Sequence, residues 1–269
     1  MNLTPMADLM VSPGTLVSLV AVAILVMTNV RAGRHPAALP AWEHAFGIAG
    51  LAAVVNGQYL GLVDAPAERM MGEVGRILYV HVPSAWLTML WFFFAFLAAI
   101  ACLMVRNTDR RLAIDSFVEA SSEVGVALAL LLLATGSIFA HPTWGTWWTW
   151  DPRLTSSAVM TLAFVGVLTL RSMVDDVERR MTLGSVVTIL AGLSMFVTYF
   201  SVRWWRTMHQ MQSSPETIDP GMVLILRINA FALLFLSTWF VARRWRIAQA
   251  NSLAAMPESL PPNPNGAPA

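Results

Sequence analysis

The chain has 269 residues and a formal net charge of +1; 57% of its residues are hydrophobic, only 12% are charged, and its mean hydropathy is +0.61. This composition is typical of integral membrane proteins rather than of soluble domains. The near-neutral charge gives no indication of nucleic acid binding, so we expect no such partner.

Seven segments meet the requirement for a membrane-spanning helix, which is about 20 mostly apolar residues. They are continuous apolar runs rather than alternating ones, which predicts helices and not β-barrel strands. In chain order they cover roughly residues 9–30, 45–63, 82–105, 124–140, 154–170, 181–202 and 221–242. We therefore expect an all-α, polytopic integral membrane helix bundle with six core transmembrane helices plus an extra N-terminal one.

Arginine sets the predicted orientation, because the chain has no lysine and all 17 basic residues are arginine. Eleven arginines flank the spans on one side and five on the other, while Arg227 lies just inside the last span. The positive-inside rule makes the richer side cytoplasmic, which places the C-terminus in the cytoplasm. Arg227 should then face the protein interior or a water-filled cavity rather than lipid.

This pattern divides the chain into three regions. Residues 1–44 hold the extra hydrophobic segment and a cytoplasmic loop, and residues 45–246 form a transmembrane domain with a Trp-rich external loop at 141–153. Residues 247–269 are a Pro-rich tail that we expect to be disordered and cytoplasmic. Segment 9–30 lacks the basic start and cleavage site of a secretory signal, which favours an N-out helix over a removed or misassigned leader.

The most informative motif is Trp144-Gly-Thr-Trp-Trp-Thr-Trp-Asp151, which places four tryptophans in seven residues. An interfacial aromatic belt is the alternative, but a belt would scatter its tryptophans over many helix ends. Indoles this close together predict a flat amphipathic surface for a large planar ligand, for which porphyrin is the natural candidate. The tryptophans of the motif are Trp144, Trp147, Trp148 and Trp150.

Asp151 ends this motif and begins the next helix. The sequence Asp-Pro-Arg-Leu-Thr is typical of a helix start, with Asp151 as the N-cap and Pro152 at the first helical position. Capping alone would explain the carboxylate. A second role, in which Asp151 orients an indole N–H or a basic partner, stays open.

Three of the five histidines fall on the predicted outer side. His81 opens the third segment and His209 follows the sixth, so the topology brings two residues that are 128 positions apart to one face. Imidazole is a usual axial ligand of haem iron, whereas a structural hydrogen bond at a helix end is the alternative for each histidine. His141 is a third candidate and ranks lower, because a role of His141-Pro142 in shaping the start of the loop would explain it.

Arginines on the outer side are not expected from the positive-inside rule and therefore need an explanation. Arg76 lies five residues before His81, and Arg153 lies two residues after Asp151. Haem carries two propionates and arginine pairs with carboxylates in bidentate fashion, so Arg76 and Arg153 are candidate propionate partners. Contact with lipid phosphates or with loop carboxylates such as Glu73 is the alternative.

Two common motifs are missing from the sequence. There is no C-x-x-C-H, so we expect no covalently attached c-type haem, and there is no Walker A sequence, so a partner would have to hydrolyse any ATP. The single cysteine, Cys102, lies in an apolar run and should behave as a small hydrophobic residue.

Several of these motifs together resemble one family. Trp-Gly-x-Trp-Trp-x-Trp-Asp is the WWD signature of haem-handling proteins of cytochrome c assembly. His-Val-Pro-Ser-Ala-Trp (81–86), Ser-Val-Arg-Trp-Trp-Arg-Thr-Met-His-Gln (201–210) and Ile-Asp-Pro (218–220) resemble the CcmC family of the cytochrome c maturation system. The resemblance covers about residues 46–245. Family members typically have six spans, so segment 9–30 is additional.

The resemblance implies a haem delivery factor rather than an enzyme. Such proteins bind haem b at the outer face of the bacterial plasma (inner) membrane and load it onto the haem chaperone CcmE. The ABC transporter components CcmA and CcmB then use ATP to release the loaded chaperone, and the small membrane protein CcmD assists. By motif, the axial ligands are His81 and His209, and the remaining site positions are Trp144, Trp147, Trp148, Trp150, Asp151, Arg76 and Arg153.

Three other functions remain as alternatives. A cytochrome c haem lyase subunit would be an enzyme, and such relatives are larger and have additional histidines within the membrane. A b-type electron-transfer subunit would need histidine pairs buried on facing helices, and a transporter scaffold would bind no haem. No histidine lies at the centre of a predicted span, which favours delivery over ligation and electron transfer.

Overall fold

The computed structural model describes residues 41–68, 71–209 and 220–256. Its long helices are α1 (Ala41–Tyr59), α2 (Leu78–Met104), α3 (Thr108–Trp144), α4 (Pro152–Ser172), α5 (Val177–Trp204) and α6 (Pro220–Ala254). A π-helical turn (Leu60–Asp64) continues α1, and a 3₁₀ turn (Glu73–Ile77) precedes α2.

These six helices are long and apolar enough to cross a membrane. The predicted all-α helix bundle with six core transmembrane helices is therefore confirmed. The predicted extra helix at 9–30 lies outside the described residues.

The helices extend beyond the apolar segments that predicted them. Helix α3 begins at Thr108, well before residue 124, because the side chain of Asn107 caps it by accepting the backbone N–H of Arg110 at 2.9 Å. Helix α6 continues to Ala254, so residues 247–254 are helical and do not belong to the predicted tail. Residues 257–269, the rest of that tail, lie outside the described residues. Hydropathy locates the lipid-facing part of a helix but not its charged end turns.

Helix α2 is the central element of the bundle and packs against α3, α5 and α6. Its Phe92 ring stacks on Phe164 of α4, with ring centroids 3.6 Å apart. Gly125 allows α3 to come close at this level, since a Cβ there would meet the Phe92 ring at 2.5 Å. The same helix carries His81 in its first turns, so the packing that fixes α2 also fixes the position of this histidine.

Helix α1 packs against α6 through hydrogen bonds as well as apolar contacts. The Trp239 indole donates to the carbonyl of Glu43 at 2.8 Å, and Asn229 donates to the carbonyl of Gly57 at 2.9 Å. Asn229 also accepts from the Gln58 amide at 2.7 Å. Lipid offers no hydrogen bonds, so polar side chains on a spanning helix must be satisfied within the protein.

The N-terminal half of α3 is fixed by a row of ion pairs, which we call the ion-pair ladder. Asp115, Glu119 and Glu123 are spaced four residues apart and therefore share one helix face. The guanidinium of Arg171, only 4% exposed, donates to both oxygens of Asp115 and to Glu119, each at 2.8 Å. Arg244 of α6 donates to Glu123 at 2.6 Å. The ladder thus joins α3 to α4 and to α6.

We predict that Arg171→Met destabilises the protein, because it leaves the buried carboxylate of Asp115 and the half-buried carboxylate of Glu119 without their cation. Removing one partner of a buried ion pair costs about 3–5 kcal/mol. Thermal unfolding in detergent should show a clearly lower Tm for this variant. Arg179→Met, at an exposed position in the first turn of α5, is the control and should leave the Tm nearly unchanged. Equal Tm values for the two variants would contradict the prediction.

Candidate site at the tryptophan end

Four helices bring the predicted site residues to one end of the bundle, which we call the tryptophan end. Helix α2 begins there and carries His81, α3 ends there at Trp144, and α4 begins there at Pro152. Helix α5, which packs against α2, ends there five residues before His209. His209 lies within electrostatic range of the His81 imidazole. The structure therefore places both histidines at the tryptophan end.

The His81 imidazole is half-buried against α3. Its Nδ1 lies 3.1 Å from the hydroxyl oxygen of Thr135. A Cβ built on Gly136 would lie 3.0 Å from Cε1 of the same ring and 3.6 Å from Nδ1. The edge of the ring that holds Nδ1 and Cε1 therefore faces α3, and only a residue without a side chain leaves room for it there.

Asp151 caps α4 as predicted, and it also holds the segment that leads to His209. Its Oδ1 accepts the backbone N–H of Arg153 at 2.9 Å, which is the cap. Oδ1 also accepts the Thr207 hydroxyl at 2.6 Å, and Oδ2 accepts the backbone N–H of Met208 at 2.7 Å. The Thr207 oxygen in turn accepts the backbone N–H of His209 at 3.0 Å. We call the contacts of Asp151 with Thr207 and Met208 the Asp151 latch.

The pKa of Asp151 lies below its ordinary value. Burial raises this pKa, but hydrogen bonds from Thr207 and from the backbone N–H groups of Met208 and Arg153 stabilise the carboxylate and outweigh burial. A depressed carboxyl pKa contributes stability above the pKa of the unfolded chain, and this contribution is lost as the pH falls through the folded pKa. The latch is therefore fully formed at neutral pH.

The Trp-rich loop is exposed but does not form one flat surface. Trp147 and Trp150 are 56% and 82% exposed, whereas Trp144 and Trp148 are half-buried. The rings of Trp148 and Trp150 meet edge to face at 85°, a geometry that adjacent aromatic rings favour over parallel faces. The expectation of a single flat platform is thus wrong, and the indoles form walls at right angles to each other.

The start of this loop is shaped by the end of α3. The helix continues through Trp144, so the first residues of the predicted loop 141–153 are helical. Gly145 then takes the left-handed conformation, with φ of 74°, and its N–H donates to the carbonyl of His141 at 3.0 Å, which ends the helix. His141 stacks on Trp147 at a centroid distance of 4.2 Å, so this third candidate histidine supports an indole of the loop.

Arg76 is engaged by its own neighbourhood. Its Nε lies 3.1 Å from a carboxylate oxygen of Glu73. Its Nη1 donates to the carbonyls of Leu62 and Val63 at 3.0 and 3.1 Å, at the end of the π-helical turn. The loop-carboxylate contact that the sequence left open for Arg76 is therefore present.

The interactions of Arg153 involve residues around the two histidines. Its Nη1 donates to the carbonyl of Thr198 on α5 at 2.7 Å, and its charge acts on both Asp151 and His81. Arg227, on α6, is half-buried.

Sequence reasoning missed three residues of this site, namely Thr135, Gly136 and Thr207. A local signal exists for the first two, because Thr135-Gly136 interrupts a long apolar run, and polar residues within spans usually have a specific partner. Thr207 stands two residues before His209, but nothing in the sequence pairs it with Asp151. The second role of Asp151 is to hold the Thr207 hydroxyl and the backbone amide of Met208 by hydrogen bonds.

Fold and site together define a class: a multi-pass membrane protein whose helix ends gather two histidines beside an exposed tryptophan loop. The family described as Heme exporter protein C matches residues 16–256. The chain belongs to this family. The match extends further towards both ends than residues 46–245, over which its motifs are recognisable.

Individual relatives agree with this assignment. Heme exporter protein C of Bradyrhizobium diazoefficiens is 33% identical over 186 residues, which cover 67% of this chain and 69% of the relative. Heme exporter protein C of Escherichia coli K12 is 33% identical over 200 residues, or 74% and 80% of the two chains. A protein of Marchantia polymorpha named as a ccmC-like mitochondrial protein of cytochrome c biosynthesis is 31% identical over 183 residues, or 68% and 75%.

We predict that Asp151→Asn loosens the latch but keeps the cap, because asparagine caps helices as well as aspartate does. Hydrogen bonds to a charged group contribute about 1.5–3 kcal/mol, so backbone amide exchange at residues 205–209 should accelerate by roughly tenfold or more. Thr207→Val removes the same latch from its other side. The double variant should therefore exchange little faster than the faster single variant.

Hydrogen exchange read by mass spectrometry, on protein without added ligand, checks this prediction. Thr146→Val is the control, because Thr146 bonds only within the tryptophan loop, to the carbonyl of Trp148. Unchanged exchange at residues 205–209 in both latch variants would show that Asp151 does not hold this segment.

Proposed function

We propose that this protein binds haem at the extracytoplasmic face of the bacterial plasma membrane and delivers it to the haem chaperone CcmE during maturation of c-type cytochromes. The observation that carries the proposal is the convergence of His81 and His209 beside the exposed tryptophan loop. Membership of the Heme exporter protein C family supports it and makes the chain a transport component rather than an enzyme.

The donor set of the tryptophan end suits haem as the cargo. Haem iron already has four porphyrin nitrogens in its plane and takes axial ligands such as imidazole above and below it. Within residues 41–68, 71–209 and 220–256 no three His, Cys, Asp or Glu side chains are grouped so as to hold a bare metal ion. His81 and His209 therefore fit an iron that arrives with its own in-plane ligands. The sequence has no C-x-x-C-H, so the cargo is non-covalently bound haem b.

The tryptophans would cover the apolar part of the porphyrin. Trp147 and Trp150 expose large apolar surfaces, and burying apolar area contributes about 25 cal/mol per Å². Because the indoles of Trp148 and Trp150 stand at right angles, they suit contact with both a face and an edge of a flat macrocycle. Trp144, half-buried at the end of α3, would complete the wall.

The arginines would bind the haem propionates. Arg153 is the stronger candidate, because its charge already acts on His81. Arg76 remains a candidate, but it would have to share its guanidinium with Glu73. In both cases the planar guanidinium can offer two parallel N–H donors to one carboxylate.

Orientation and partners follow from charge and exposure. The positive-inside rule makes the tryptophan end extracytoplasmic and the C-terminus cytoplasmic. At that face, Trp150 is 82% exposed and is available to the approaching chaperone. The chain has no Walker A sequence, so ATP-driven release of the loaded chaperone belongs to CcmA and CcmB, with CcmD as the small assisting subunit.

We predict that purified wild-type protein shows the absorption spectrum of haem with two histidine ligands, in both the oxidised and the reduced state. His81→Ala and His209→Ala should each remove one axial ligand and shift the Soret band, and the double variant should lose bound haem. His44→Ala is the matched control, because His44 is exposed at the start of α1, away from the tryptophan end. Spectra that neither substitution changes would reject His81 and His209 as the axial ligands. His141 would then be tested next.

Delivery is tested separately from binding. We predict that Trp150→Ala lowers the amount of haem-loaded CcmE, in cells that express both proteins, by a larger factor than it lowers the haem bound to this protein. Trp150→Phe is the control, since it keeps an aromatic surface at the same place. Haem staining of the separated proteins measures both pools. Full loading of the chaperone by Trp150→Ala would contradict a role for Trp150 in transfer.

A further inference from the structure

One turn of α3 contacts the His81 ring along its whole Nδ1–Cε1 edge. The Thr135 hydroxyl oxygen lies 3.1 Å from Nδ1. Gly136 lies against Cε1 and has no side chain there; a Cβ at this position would lie 3.0 Å from Cε1. Thr135 is buried, at 8% exposure, so these contacts lie in a place where bulk water does not compete.

The Thr135 hydroxyl already donates its proton in a hydrogen bond to the backbone of α3. The oxygen lies 2.7 Å from the carbonyl of Leu131 and 3.2 Å from that of Leu132, so the single O–H donates to the helix backbone. Only lone pairs of the oxygen then remain for His81. A neutral imidazole has one N–H and one acceptor nitrogen, and the nitrogen that faces an acceptor must be the N–H. Nδ1 of His81 is thus the donor in this contact.

Thr135 therefore presents an acceptor, and not a donor, to the ring nitrogen that faces α3. The arrangement is the one that metal-binding histidines generally need, in which the second ring nitrogen donates to a fixed acceptor and so sets both the ring plane and the tautomer.

We propose that Thr135 is a positioning residue that holds His81 in the Nδ1–H tautomer and so keeps Nε2 unprotonated. That Nε2 binds haem iron rests on the proposed function; the tautomer itself does not. Gly136 has a steric part in the same device, because it admits the ring edge to the helix surface. His81 is thus prepared as a ligand before its cargo arrives, with no need for a proton to leave the nitrogen that binds.

The tautomer can be measured in the haem-free protein. Protein labelled with ¹⁵N only at histidine would be studied by NMR at about pH 8, above the ordinary histidine pKa of about 6.5. The His81 signals are assigned as those absent from His81→Asn. We expect a protonated Nδ1 and an unprotonated Nε2 in the wild type and in Thr135→Ser, and a mixture of tautomers in Thr135→Val. An Nε2–H tautomer in the wild type, or no change in Thr135→Val, overturns the proposal.

Haem retention gives the second readout. Loss of the partner of a metal-binding histidine typically weakens metal binding about 10–100-fold, so Thr135→Val should lose haem to an acceptor protein at least about tenfold faster than the wild type. Thr135→Ser should restore retention. Thr188→Val is the matched control, because Thr188 is also buried and also donates to the carbonyl four residues earlier, and among the described residues no hydrogen bond joins it to a histidine.

The two readouts separate the two hypotheses. A wild type that binds no haem but shows the Nδ1–H tautomer refutes the proposed function and leaves the role of Thr135 in the tautomer standing. A wild type that binds haem through His81, with retention unaffected by Thr135→Val, refutes the positioning role and leaves haem binding intact. Equal losses in Thr135→Val and Thr188→Val would likewise reduce the effect to general packing and overturn the proposal.

Discussion

Polar side chains between the two ends of this bundle have to be satisfied by other parts of the protein, because a bilayer offers them no hydrogen bonds. The described structure meets this constraint with partners on neighbouring helices. Arg171 pairs with carboxylates of α3, and Asn229 bonds to the backbone of α1. Each such pair fixes the register of two helices, so the placement of the helix ends, where the site lies, depends on polar contacts made deeper in the bundle.

At the tryptophan end, a single carboxylate supports several parts of the structure. Asp151 is the N-cap residue of α4, and it also anchors the segment that carries His209. One carboxylate therefore couples three things: the end of the tryptophan loop, the start of α4 and the position of the second histidine. His81 is held by α3 through its side chain, whereas the residues around His209 are held through their backbone and through Thr207. The two histidines thus reach one place by separate supports.

Much of the fold can be predicted from the sequence, because helices that span lipid must be long and apolar. Such segments are recognised from hydropathy alone. It also contains the helix start at Asp151, because a cap is a local property of Asp-Pro. The true start of α3 is hidden, because Asp115, Glu119 and Glu123 look like loop residues until their arginine partners are known. The latch is hidden for a related reason: Thr207 is 56 residues from Asp151, and no local pattern links them. The indole planes depend on side-chain torsions and on the turn at Gly145, which composition does not encode.

The central claim is that one haem lies between His81 and His209 at the tryptophan end. The most direct measurement is a cryo-electron microscopy map of the haem-loaded protein at a resolution that shows side chains. The account predicts iron bound by these two imidazoles on opposite faces of one porphyrin, with the Asp151 latch intact beside it. Iron bound instead by His141, or porphyrin density away from the tryptophan loop, would contradict it.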